Sequence, residues 1–540
     1  MVRNRHFIFG FLSLIIFISL SFSACLLGDD IETIRKRAGR DRYDGIDLTS
    51  PSGLRFELIN NGTAYSVSRG NATDEHIVIP EVYRGLPVIE IGAAIRDGNN
   101  YIGGFAGFTD LISIFIPNSV LSIGDFAFYH CTNLIEVNFP AVTSIGVWAF
   151  SRCTSLTVAD FPEATSISAG AFYECTSLVE VNFPAVTSIS SNAFYHCTSL
   201  LEASFPVATS ISNSAFRECT SLVEVDFLLT AGIGDRAFEN CTSLLDVNFP
   251  AVTSIGSSAF SYCTSLLDVN FPAATSIGSS AFSHCTSLQK VNFPVAPGID
   301  SGVFRECTSL VEVNFPAATI IGDSEFAGLT SLLYVNFPAA ISIGNSAFES
   351  CTSLVEVNFP VVTSINERAF WGCTSLVEIN FPVATSIGNN AFSHCTSLFE
   401  VNFPAVINIG YEYWYNAERG VFYQCTSLTV ADFPEATSIN AGTFYECTSL
   451  VEVNFPAVTR INERAFWGCT SLVEVNFPAV DRIDGEAFAY CYNLNTVKLG
   501  LINRNFQSDS FPGNLHTVYN GAGTYTTTNP GENAIWVKQQ

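Results

Sequence analysis

A chain of 540 residues with 46 Phe against one Met and five Trp is far from ordinary composition. Such bias points to one motif copied many times rather than to several unrelated domains. Only 14% of the residues are charged and the net charge is -26, which argues against nucleic acid as a partner, since a polyanion is repelled and no basic patch offsets this; cationic or neutral partners fit better.

The chain opens MVRNRHFIFGFLSLIIFISLSFSAC, with two Arg, an apolar stretch from Phe7 to Leu20 and then small residues. This is the pattern of a secretory signal, too short and wrongly flanked for a stable membrane span. Ser21, Phe22, Ser23 and Ala24 run directly into Cys25, and the junction resembles the lipobox of bacterial lipoproteins in its relaxed, spirochaetal form. That resemblance implies a signal peptide over residues 1–24 and lipidation at Cys25, each buried methylene of the acyl chains contributing about 0.8 kcal/mol of anchoring. An ordinary signal peptidase site followed by an unrelated Cys is the alternative. Residues 25–45 are polar without hydrophobic period and read as a tether. Its basic residues, from Arg35 to Arg42, either rest on anionic lipid or belong to a solvated linker.

From Cys131 to Cys491 every cysteine falls on one register with a step of 22 residues. Leu329 fills one slot, the step from Cys395 to Cys425 is eight residues longer, and Phe108 takes the slot of a weaker rung before Cys131. Each unit reads like CTSLVEVNFPAVTSISSNAFYHC, from Cys175 to Cys197. Val179, Val181 and Phe183 alternate with Glu180 and Asn182, which predicts a short strand with one face inward; Pro184, lacking an amide proton, ends it. Val186, Ile189, Ala193 and Phe194 then mark a loosely wound return segment. One unit cannot bury its own apolar face, but stacked units form a continuous core that needs caps at its ends. The expectation is a curved solenoid with one short parallel strand per rung on the concave face and irregular or short helical turns on the return side. Roughly 18 rungs at about 4.8 Å each would span about 85 Å.

The pattern Leu-x-x-Val-x-Phe-Pro, then Ile-Gly-x-x-Ala-Phe-x-x-Cys, resembles the BspA-like, treponemal type of leucine-rich repeat over roughly residues 46–540. Leu178, Val181 and Phe183 match that family's inward strand positions, and Ile189, Ala193, Phe194 and Cys197 its return-side core. The resemblance implies a leucine-rich-repeat solenoid with a β-rich N-terminal cap and an atypical first repeat over residues 46–102, the array over 103–500 and a C-terminal cap over 501–540. It also implies adhesion to host extracellular-matrix or plasma proteins, or to other bacteria, by a protein lipid-anchored to the outer membrane at the cell surface. A periplasmic envelope-structure protein is the rival reading.

Sixteen cysteines in a secreted chain would ordinarily suggest disulfides. Neighbouring slots lie roughly 5 Å apart, yet stacked Cβ vectors do not aim at each other, and Leu329 and Phe108 fill the slot equally well; buried thiols are the first reading and bridges the second. His130, His196, His284 and His394 each precede a Cys, but at three to five rungs apart, about 15 to 25 Å, they cannot share a zinc ion. No metal and no cofactor is expected.

The outward strand positions are the candidate binding surface. Five residues after the cysteine slot stands an acid in 12 of the 17 rungs from Cys131 to Cys491: Glu136, Glu180, Glu202, Glu224, Asp246, Asp268, Glu312, Glu356, Glu378, Glu400, Glu452 and Glu474. Lys290, Tyr334, Val158, Val430 and Thr496 interrupt this column, and Lys290 is expected to neutralise Asp268 and Glu312 beside it. Two positions on stands Asn or Asp in nearly all rungs. Stacked Asn can hydrogen-bond along its column, whereas stacked carboxylates repel. The acid column therefore either binds basic partner segments or Ca²⁺, whose ligands are oxygens, or merely keeps the sheet soluble. Adjacent carboxylates also meet the spacing of a glycoside hydrolase, but catalysis needs two in different environments, and these have near-identical neighbours. No enzyme is predicted.

A second candidate is the insertion YEYWYNAE, Tyr411 to Glu418, whose Tyr411, Tyr413, Trp414 and Tyr415 either form a protein-binding hot spot or pack back onto the return side. The blocks TVADFPEATSI, at 157–167 and 429–439, and NERAFWGCTSLVE, at 366–378 and 462–474, indicate recent copying of rungs.

Overall fold

The computed structural model describes residues 53–98, 100–410 and 420–540; residues 53–540 form one compact unit. It begins with an antiparallel hairpin of Arg55–Ile59 and Ala64–Ser68. Ala64–Ser68 then pairs in parallel with Leu86–Ile91, which pairs with Ser122–Ile123. His76–Val78 pairs in parallel with Ser113–Phe115, which continues to Glu136–Asn138. Two parallel ladders thus start side by side; along the array the second-strand ladder continues with one interruption and the first-strand ladder as a series of shorter sheets.

In the rung from Cys175 to Cys197 the first strand is Glu180–Asn182 and the second Ser188–Ile189. Register never slips: Glu136 lies beside Val158 and Val158 beside Glu180, while Ser166 lies beside Ser188 and Ser188 beside Ser210. The first strand is where the sequence places it. The second strand departs from the expected irregular or helical return side. Its Ser-Ile pair is too short to show a period, and the apolar spacing that follows it belongs to a turn.

That turn carries two left-handed residues in successive rungs, five and one positions before the cysteine, such as Asn192 (φ 58°) and His196 (φ 58°). A non-glycine residue there costs roughly 1–2 kcal/mol, and the geometry shows what offsets it. Alternate amides turn along the solenoid axis, so that Asn192, Phe194 and His196 donate to the carbonyls of Asn213, Ala215 and Arg217 one rung on. The amides between them bond within the rung, Ala193 to Ser190 and Cys197 to Phe194.

The core is two columns of Phe. Phe161, Phe183 and Phe205 stack on the strand side, and Phe150, Phe172 and Phe194 on the return side. Within a column Phe172 and Phe194 lie 5.3 Å apart at 4°; across columns Phe172 meets Phe183 edge-on at 5.7 Å and 66°. Both arrangements suit the ring quadrupole. The sixteen array cysteines are all thiols and all buried. Each Sγ donates to the Phe carbonyl of the rung before, Cys175 to Phe150 and Cys219 to Phe194 at 3.1 Å. The Phe150 carbonyl also accepts the amide of Cys153, so the thiol fills its second lone pair.

At the far end Thr496–Leu499 pairs in parallel with Glu474–Phe477 but antiparallel with Gly523–Thr526, which pairs antiparallel with Val537–Lys538. The reversal ends the ladder. Trp536 is buried there, its indole N–H donating to the Pro512 carbonyl at 2.9 Å, and Phe511 stacks on Phe488 at 4.4 Å as the last ring of the return-side column.

Burial pushes the thiols of Cys131, Cys307 and Cys351 up to about 12 and those between them higher, so the nucleophilic thiolate is suppressed. Iodoacetamide at pH 8 is expected to leave all sixteen array cysteines unmodified in the native protein, and to alkylate all sixteen in guanidinium without reductant. Fewer than sixteen alkylated sites by peptide mass spectrometry would reveal bridges instead.

Candidate binding surface

The first-strand ladder sets Glu202 beside Glu224 and Glu224 beside Asp246, and likewise Glu356 beside Glu378, all of them exposed. Glu180, Glu202, Glu224, Asp246, Asp268, Glu312, Glu356, Glu378 and Glu400 thus occupy one outward strand position, with Tyr334 between Glu312 and Glu356 projecting at 63% exposure. Two residues on, the Asn column bonds to itself. Asn292 Nδ2 donates to Asn270 Oδ1 at 2.7 Å, and Asn380 to Asn358 at 3.0 Å. An amide can donate and accept in one column; an ionised carboxylate can only accept.

Where acid adjoins acid, as from Glu202 through Glu224 to Asp246, the column therefore carries like-charge repulsion. Glu224 is held above the usual carboxyl range by partial burial and then by the charges of Glu202, Asp246 and Asp226. Asp268 is raised by burial, an effect Lys290 opposes and Asp246 and Glu312 reinforce. Lys290 sits in register between Asp268 and Glu312, with an ion pair to Glu312 at 3.1 Å. At the C-terminal end Lys498 pairs with Glu474.

Beside the acids runs a feature the alternation hid. Val179 does not face inward with Val181 and Phe183; it precedes the strand and is 37% exposed. The inward place before the strand belongs to Leu178, fully buried at the end of the Cys175 turn. The same position holds Ile135, Leu267, Val355, Val377, Phe399, Val451 and Val473, all exposed. The Val377 amide donates to the Val355 carbonyl at 2.9 Å, and that of Phe399 to Val377 at 3.4 Å, so these residues form a stripe in step with the acids. The available signal was that Leu and Val are adjacent in CTSLVEV, and only one of two adjacent residues can point inward.

The family described as BspA type leucine rich repeat region (6 copies) matches the chain in five overlapping segments, over residues 101–223, 187–311, 231–342, 319–419 and 416–519. The chain belongs to that family. A BspA-type array of this kind is suited to protein–protein interaction. Among solved structures the chain is similar to a leucine-rich repeat protein from Bacteroides ovatus, with 21% identity over 85% of this chain and 90% of that one and a TM-score of 0.36. It is similar to a leucine rich cell surface protein from Faecalibacterium prausnitzii, with 22% identity over 75% and 94% and a TM-score of 0.28. A T. pallidum leucine rich repeat protein shares 22% identity over 53% and 91%, with a TM-score of 0.18. No curated protein matches the chain.

The histidines of the BspA-type array sit at left-handed turn positions on the return side: His130, His196, His284 and His394. His196 Nδ1 lies 3.0 Å from Glu218. Among the described residues no three His, Cys, Asp or Glu side chains converge to hold a metal ion. Cys25, and Tyr411, Tyr413, Trp414 and Tyr415 of the insertion, lie outside the described residues. Beyond the insertion an aromatic row continues on the return side, with Tyr423 stacked on Tyr445 at 4.9 Å and Tyr445 on Trp467 at 4.4 Å. These rings cover one another's faces, which makes the row a stacking device.

The raised pKa of Glu224 has a definite sign. Its carboxyl is easier to protonate in the folded array than in the unfolded chain, so its contribution to stability is present at low pH and lost as pH rises through the folded value. Glu224→Gln is expected to raise the thermal midpoint at pH 7 and to flatten its dependence on pH from neutrality down through the carboxyl range. A midpoint that falls, or an unchanged slope, would contradict the repulsion described here.

Proposed function

We propose that the chain is a bacterial surface lipoprotein whose array binds proteins through its strand face and catalyses no reaction. The observation that carries this reading is the acid column running in step with the exposed aliphatic stripe. Rung after rung sets the same carboxylate beside the same apolar side chain, and many modest contacts then add up on one elongated partner. An apolar stripe edged by charge has the anatomy of an interface. Adjoining acids repel one another, and Lys or Arg side chains of a partner relieve that repulsion as Lys290 does beside Glu312. Partner segments that carry cationic and aliphatic residues together suit this face best.

Catalysis finds no support in the same surface, because its carboxylates repeat a single outward strand position in a row and do not make up an acid and a base held in contrasting environments. The lipobox-like junction at Cys25 supports an acyl anchor in the outer membrane with the array displayed outward. The BspA-like resemblance supports adhesion to host matrix or plasma proteins or to other bacteria.

Immobilised mature protein, probed with plasma and matrix proteins, is expected to capture a partner whose binding falls roughly tenfold or more on combining Glu356→Lys, Glu378→Lys and Glu400→Lys. Deleting Tyr411 to Glu418 should leave that binding intact; loss on deletion would move the site to the insertion. Protease added to intact cells should cut the array, and an uncut array would rule out surface display.

A further inference from the structure

One place in the array breaks its own rules in several ways at once. The rung of Cys285 carries Pro297 and Gly298 where the rung before it carries Thr275 and Ser276, and the next rung carries Glu325 in the alanine slot and Leu329 in the cysteine slot. The second-strand ladder stops at Ser276–Ile277 and resumes at Ile320–Ile321. In most rungs this amide donates to the isoleucine carbonyl of the rung before, as Gly278 does to Ile255 and Gly344 to Ile321; among the described residues Asp300 and Gly322 are two successive rungs that lack the bond. The turn ladder opens too: Phe282 donates to Val303 and Phe326 to Ala347, but Phe304 does not reach the Glu325 carbonyl.

The spacing agrees. Phe304 lies 5.9 Å from Phe282 and 6.0 Å from Phe326, against 5.2 Å for Phe260 to Phe282 and 5.3 Å for Phe326 to Phe348. A Cβ built on Gly256, Gly278 or Gly344 would press to within 2.5 or 2.6 Å of the rung before, whereas one on Gly322 would meet only the Ile299 carbonyl at 3.9 Å. On the strand side nothing opens: Phe293 and Phe315 are 5.0 Å apart, and Lys290–Asn292 keeps its register with Glu312–Asn314. The rungs are splayed on the return side and closed on the strand side.

Glu325 fills the splay. It is 2% exposed, its Oε2 accepts the Gly302 amide at 3.1 Å, and its Oε1 is buried with no hydrogen-bond partner. We propose that the array is two stiff segments joined by a hinge between the Cys285 and Leu329 rungs, with Glu325 as the wedge on which its return side opens. Burial pushes the Glu325 carboxyl up to about 8, against the pull of the Gly302, Phe304 and Val303 amides and with a further push from Asp300. The Cys307 thiol is the other titratable group it acts on, and the following rung presents uncharged Ala347 and Phe348. In the closed hinge the carboxyl stays protonated at neutral pH; exposed to water by opening, it ionises near 4.5. Opening therefore releases a proton between those values and becomes easier as pH rises through that window, levelling off above it.

Hydrogen exchange on the whole mature protein, corrected for intrinsic rates, tests this. Amides 302–306 are expected to be protected at least tenfold less than amides 280–284 and 346–350, and their protection should fall roughly tenfold or more from pH 6 to pH 8.5 while the flanking amides hold. Glu325→Ala, which restores the alanine of most other rungs, should raise protection at 302–306. Glu325→Gln, of the same size, should abolish the dependence on pH. Protection equal to the flanking rungs in the wild type, or pH dependence that survives Glu325→Gln, would overturn the proposal.

Discussion

Everything in this chain follows from one constraint: the nearest neighbour of almost every side chain is the same position one rung away, at the spacing the ladders impose. The Phe columns report that spacing directly, 5.3 Å from Phe172 to Phe194 and 5.2 Å from Phe194 to Phe216. A residue type survives at a position only if it tolerates its own copy at that distance. Phe does so by offset stacking, Asn by donating to the next Asn, and Thr by passing its hydroxyl proton to the carbonyl of the Thr before it, as Thr187 does to Thr165 at 3.2 Å. Glu does not. The column of acids is the one outward position whose self-interaction is repulsive, and so the one for which internal stability offers no reason.

The cysteines illustrate the same rule from inside. A disulfide links two slots and leaves the next without a partner, which a uniform column cannot accommodate. A thiol solves the stacking problem identically in every rung, by donating to the Phe carbonyl of the rung before, and stays buried and unreactive. Leu329 fits the space but cannot donate, and it falls in the rung that also carries Glu325. That two exceptions share a rung with an open ladder indicates that they belong to one local rearrangement.

Much of the fold was legible because a repeat multiplies weak signals. A three-residue strand such as Glu180–Asn182 would be invisible once, yet with the cysteine register it was placed correctly, as were the inward Leu178 and Phe183. The second strand escaped because two residues, Ser188–Ile189, carry no alternation, and because its bonds lie between rungs 22 residues apart. Val179 was misplaced because strict alternation was extended one residue too far, past the point where the chain leaves a turn. At the surface the acids, and the ion pair of Lys290 with Glu312, could be read from spacing alone. The aliphatic stripe could not, since an apolar residue in an apolar motif looks like core until the backbone shows which way it faces.

The interrupted rungs bear on how such an array behaves as a whole. In a solenoid each rung contacts only its neighbours, so stability is close to a sum of rung and interface terms, and cooperativity passes only through intact interfaces. Between the Cys285 and Leu329 rungs the second ladder is missing and the Phe spacing is wide, while the first ladder and the acid column's Lys290–Glu312 pair remain. Coupling between the two segments then runs mainly through the strand side, the side that bears the candidate binding surface. A partner lying across Asp268, Glu312 and Tyr334 would bridge the hinge on its closed side and tie the segments together where the core ties them least.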